Sequence, residues 1–212
     1  VICFNTINIV KVEGNEAVVR QHLTRGVVDE VWRDGTKFFV GWFWDIYKYN
    51  IGTQKITFDE RERNPEAEYP SIGVDVGENG GQKVWVALSV NYRPGWEADE
   101  NGGPRFSPTK LVLLHKDGIG QNYESVILKR TIVEVVNQLT RTQQALEIYS
   151  GEGFVRLAKD LDEAIKTHPQ LTSRGIFVEN TILYKVYLDP AYENEIAQKQ
   201  LAIQQTLRKK EE

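Results

Sequence analysis

The feature that most constrains this chain is a change of hydrophobic period near its middle. Up to about residue 93 apolar side chains recur at every second position, and from about residue 123 they recur at threes and fours. Extended segments followed by helices make an α+β pattern, distinct from the strand–helix alternation of a parallel sheet.

The first half predicts strands over Ile7–Val12 and Glu16–His22, joined as a hairpin at Gly14-Asn15. A further extended run, Val27–Trp32, leads to a turn at Asp34-Gly35, and Ile46–Phe58 is strand-like. Asp59–Pro70 reads as a charged loop. Val74–Val76 and Val84–Arg93 form a second strand pair, with Val84, Val86, Leu88, Val90 and Tyr92 on one face. Pro94–Pro108, rich in Gly, Pro and acid, reads as a long surface loop.

Helical spacing covers Tyr123–Leu139. Thr142 is placed to cap a short helix through Ile148. Ser150 or Gly151 opens another, faced by Phe154, Leu157, Leu161, Ala164 and Ile165. A strand then starts at Gly175, with Ile176, Val178, Ile182, Tyr184, Val186 and Leu188 expected on one side. Asp189-Pro190 breaks it, and residues 191–212 predict a final polar helix. The organisation expected is a strand-rich part at 1–93, an α/β part at 94–189 and a helical start at 190–212.

Composition sets limits on function. With 26 basic and 30 acidic residues and no basic stripe, nothing attracts nucleic acid. Cys3 stands alone, and His22, His115 and His168 share no ligand spacing, so no metal or other cofactor is expected. The glycines at 77–81 and 102–103 lack the Lys-Ser/Thr of a phosphate loop, no Gly-x-Ser-x-Gly elbow occurs, and the paired acids Asp160/Asp162 and Glu193/Glu195 fall on polar helix faces. No catalytic residues are expected.

Two stretches remain as candidates. The segment from Phe38 through Phe39, Val40, Gly41, Trp42 and Phe43 to Trp44 is apolar on both faces of an extended strand. A small domain hardly buries both, and Trp suits the boundary between headgroups and acyl chains. Phe38, Phe39, Trp42, Phe43 and Trp44 are therefore candidate membrane contacts. On the last helix Ile196, Ala197, Leu201, Ile203 and Leu207 make a stripe too thin to bury itself, so it calls for a partner helix. With Tyr192, the residues Ile196, Leu201, Ile203 and Leu207 are the candidate oligomerisation positions. No apolar run reaches the ~18 residues of a membrane-crossing helix.

The order of these pieces resembles the SPFH (band 7) family of stomatins, prohibitins, flotillins and the bacterial HflK and HflC proteins. Residues 12–20 are similar to its first hairpin, and residues 34–44 occupy the place of its apolar segment. Residues 49–56 match its strand ending in Thr-Gln, and Val84–Arg93 its strand ending in Tyr-Arg. Residues 119–127 lean toward prohibitins, Gly175–Glu179 match a late strand, and residues 190–202 the root of its coiled coil. The chain departs from the family in lacking its proline in the apolar segment, in carrying Lys129 where another proline is usual, and in the length of Pro94–Pro108.

The resemblance implies a non-enzymatic, membrane-associated scaffold built on an SPFH-type domain followed by the start of a coiled coil. Its partners would be itself, in a ring or cage, and membrane lipid, reached through an anchor preceding residue 1. Some relatives enclose a membrane-anchored ATP-dependent protease, which gives an alternative role as a regulatory partner. Lipidated cysteines in some members make Cys3 a minor candidate.

Overall fold

A computed structural model describes residues 7–28, 30–40, 44–60, 64–77, 81–118, 120–149, 151–194, 196, 198 and 205. Its strands are β1 (Ile7–Val12), β2 (Glu16–His22), β3 (Gly26–Val27), β4 (Gly35–Val40), β5 (Trp44–Asn50), β6 (Gln54–Phe58), β7 (Ile72–Val76), β8 (Gln82–Pro94), β9 (Trp96–Ala98), β10 (Pro104–Phe106) and β11 (Ile176–Leu188). Its helices are α1 (Pro108–Asp117), α2 (Lys129–Thr140), α3 (Ala145–Tyr149), α4 (Glu152–Lys166) and α5 (Pro169–Thr172). A 3-10 turn at Gly120–Asn122 and a π-helical turn at Glu124–Leu128 lead into α2. This is the expected α+β architecture, strand-rich first and helical later.

The chain divides into two compact units. One comprises Val1–Ile56, Val90–Val135 and Asp162–Thr181; the other comprises Thr57–Ser89, Val136–Leu161 and Ile182–Glu212.

In the first unit the turn at Gly14-Asn15 forms, but its two strands do not pair as a hairpin. β1 pairs antiparallel with β4, from Ile7 opposite Val40 to Val12 opposite Gly35. β2 pairs with β5, from Glu16 opposite Asn50 to His22 opposite Trp44. The turn hydrogen bond from Glu16 N to Glu13 O is present at 2.8 Å, whereas the Glu13 N–H is taken by the Glu16 side chain at 2.9 Å. The second rung of a hairpin is therefore replaced, and the chain turns a corner between two sheets. The same Glu16 carboxylate meets Lys48 at 2.7 Å, and that ammonium, then the Glu13 N–H, hold it below the usual carboxylate range. Val12, Val18 and Trp32 are buried together, with Val10 and Ile46 packed against them.

Residues 94–108 are not a plain surface loop. β9 and β10 form a hairpin within them, with Trp96 opposite Phe106 and their rings edge to face. Asp99 closes its tip by accepting the N–H groups of Asn101 and Gly103. Pro94 and Gly95 are buried, and the Trp96 indole donates to Ile51 O at 3.0 Å. Helix α1 follows, burying Leu111, Val112 and Leu114; no element was expected there.

In the second unit β7 and the first half of β8 make the expected pair, Val76 opposite Gln82. Val84, Val86 and Leu88 are fully buried, as are Ile148 and Leu157. α3 begins after Gln144, whose carbonyl receives the Glu147 and Ile148 N–H groups, so Thr142 is not its cap.

β11 lies at the end of a sheet ordered β11-β8-β6, in which β7 also pairs with β8. Its faces do not alternate as expected. Ile176, Val178, Leu183, Val186 and Leu188 are buried, while Ile182 and Tyr184 are exposed. The period of two slips between Val178 and Leu183 and again before Val186, which turns the intervening apolar residues outward. Near the first slip the Thr181 N–H is capped by Asp162 Oδ1 at 2.7 Å, and the other oxygen of that carboxylate pairs with Lys166.

Candidate functional site

The apolar run Phe38–Trp44 is not one strand among the described residues. β4 ends at Val40 and β5 begins at Trp44, so Phe38 and Trp44 belong to different sheets. The four intervening steps span at most about 14 Å, which keeps the two strand ends at one end of the unit.

Phe38 and Trp44 have different surroundings. Phe38 is 66% exposed and stands directly opposite Ile9, itself 65% exposed. Leu23, at the turn of the hairpin formed by β2 and β3, is also exposed, next to the His22–Trp44 pair. Trp44 is half-buried instead. The Arg20 guanidinium lies 5.1 Å from its ring and 4.3 Å from that of Trp32, and His22 meets it edge to face. Glu30 pairs with the same Arg20 at 2.5 Å. Such contacts contribute about 0.5–1 kcal/mol each at partly exposed sites, so Trp44 helps to hold β2 to β5. The Phe39 side chain and residues 42 and 43 lie outside the described residues.

The last helix is set by its cap. Asp189 accepts the Ala191 N–H through its side chain and those of Tyr192 and Glu193 through its carbonyl, with Pro190 at the first helical position. Tyr192 and Ile196 are half-buried. Leu201, Ile203 and Leu207 lie outside the described residues, as does Cys3.

A polar cluster has no signature of its own in the sequence, although the segments that form it carry the resemblance. Gln54, from the strand ending in Thr-Gln, accepts the Tyr123 hydroxyl at 3.1 Å. The Tyr92 hydroxyl, from the Tyr-Arg strand, lies 3.1 Å from Gln54 Oε1 and 2.9 Å from Glu124 Oε2. Its one proton serves one acceptor at a time, and the carboxylate is the stronger. Gln54 Nε2 donates to Asn50 O. Beside them Arg93 Nε donates to Thr53 Oγ1, and Arg93 also pairs with Glu179.

Tyr49 donates to Gly120 O at 3.0 Å and is hydrogen-bonded to His115 Nδ1. With its proton given to Gly120, Tyr49 accepts from an Nδ1–H of His115. Burial pushes the Tyr49 and Tyr123 phenols up to about 12 and Tyr92 higher still. All three are neutral at ordinary pH and act as donors, not as bases. Three motifs far apart in sequence thus meet in one hydrogen-bonded knot, against an open cleft of about 230 Å³ lined by Asn50, Gln121 and Glu124.

Among the described residues no cluster of three His, Cys, Asp or Glu could hold a metal, and no helix is long and apolar enough to cross a membrane. No curated protein matches the chain. The model of the SPFH domain / Band 7 family matches residues 10–212, a span that holds every motif of the knot. The family consists in general of non-enzymatic scaffolds, and this chain belongs to it.

Proposed function

We propose that the protein is a membrane-associated scaffold that assembles with copies of itself. The observation that carries this reading is the outward-facing Ile9–Phe38 pair, joined by Leu23 at the same end of a unit whose family organises membranes. Burying one such side chain stabilises contact by about 1.5–3 kcal/mol, which is weak for one copy. Repetition around a closed ring multiplies it, because each added copy binds at high effective concentration.

Trp42 and Phe43 would extend the contact, and the helix beyond Asp189, through Tyr192, Ile196, Leu201, Ile203 and Leu207, would join neighbouring copies. An anchor before residue 1 would add to the attachment, and enclosing a membrane protease is one use for such a cage. The parts at 1–93, 94–189 and 190–212 would divide membrane contact, body and assembly between them.

The test is flotation with liposomes together with mass by light scattering, for the unaltered chain, Ile9→Ser/Phe38→Ser and Trp42→Ser/Phe43→Ser. Large assemblies that float, and lose flotation in the first variant, support the reading. A monomer that never floats overturns it for this chain.

A further inference from the structure

The charges around the exposed apolar end decide what kind of surface it suits. Residues 1–50 hold six basic and six acidic side chains, so the region has no net charge. Three of the six basic groups face acids: Arg20 meets Glu30 beside Trp44, while Lys11–Glu13 and Lys48–Glu16 lie toward the Gly14 turn at the other end of the strands. The acid excess lies elsewhere. Residues 57–89 carry three basic and seven acidic side chains, a difference equal to the net charge of the whole chain. Binding to an anionic leaflet normally rests on clusters of four or more unpaired Lys and Arg, and residues 1–50 leave at most three outside these pairs, Arg25, Arg33 and Lys37.

We infer that the Ile9–Phe38–Leu23 end inserts into a neutral, zwitterionic lipid surface by apolar contact alone and gains nothing from anionic lipid. The inference rests on the membrane reading above and names its lipid class. Apolar insertion strengthens or holds as salt rises, whereas attraction between charges is screened.

The experiment is flotation of the full chain with vesicles of phosphatidylcholine alone and of phosphatidylcholine mixed with phosphatidylserine, each at low and high salt. Ile9→Ser/Phe38→Ser is run in parallel, with its melting temperature checked against the unaltered chain. The expected result is binding to phosphatidylcholine that stays within about twofold as salt rises, no gain from phosphatidylserine, and loss in the variant. Binding only to phosphatidylserine vesicles, abolished by salt and indifferent to the variant, overturns the neutral-surface inference and leaves membrane association standing. Failure to bind either vesicle at any salt overturns the membrane reading itself, and this inference with it.

Discussion

The hydrogen-bonded knot of Gln54, Tyr92, Tyr123 and Glu124 and the ribbon of β1 and β4 belong to the same unit yet are built on opposite terms. In the knot Tyr92 is fully buried, and the bonds among these four residues join positions more than 30 apart. The ribbon turns Ile9 and Phe38 to the outside with no recognisable motif beyond being apolar. What makes the sequence recognisable is therefore the machinery that holds the frame. The exposed face of the ribbon is written only in hydrophobicity.

Tyr92→Ala is the strongest way to break that contrast. It empties a fully buried aromatic site and strips Glu124 of a donor, so a loss of about 3–5 kcal/mol is expected in chemical denaturation. A loss under about 1 kcal/mol would show that the knot does not hold the frame.

Gly175→Ala should follow at about 3 kcal/mol. Gly175 has φ +75°, a β-carbon there would stand 2.5 Å from that of Lys110, and its carbonyl receives the Gly95 and Trp96 N–H groups. Thermal melting of the variant measures it.

Alkaline titration probes the knot without mutation. Tyr49 and Tyr123 keep their protons to about 12 in the folded chain, whereas an unfolded phenol loses its proton near 10. Their contribution is complete below pH 10 and is lost as pH rises from 10 to 12, by at most about 1.4 kcal/mol per pH unit for each. Tyr49→Phe should flatten the fall of melting temperature across that window.

The smallest effect is expected at the ribbon. Ile9→Ser and Phe38→Ser should each change stability by about 0.5 kcal/mol or less while removing lipid binding. A large destabilisation would mean that the pair belongs to the core.

The strands of the frame were legible where one face is fully buried. The alternation of β8 showed its buried face directly, and the spacing of Leu157, Leu161 and Ile165 did the same for α4. Pairing was less legible. Gly14-Asn15 specifies a turn, but which strands pair depends on partners 22 or more residues away. Helix α1 is hard to see in the sequence because its four apolar residues, Leu111–Leu114, run without a period; Ser107-Pro108 before them is the usable signal. The knot was out of reach for a similar reason. Tyr49, Tyr92 and Tyr123 each look like ordinary strand or helix residues, and only the folded chain brings their hydroxyls together. At the candidate site the apolar excess was visible, but its division between an outward Phe38 and an inward Trp44 required knowing that the run breaks between two sheets.

Asp162 bears on how far β11 can be extended by another strand. An edge strand invites another chain to continue its sheet, the usual route to fibres. On β11 the Thr181 N–H is already occupied by that carboxylate. That N–H is therefore not available to a neighbouring strand, and a chain added along β11 could not be hydrogen-bonded at that position.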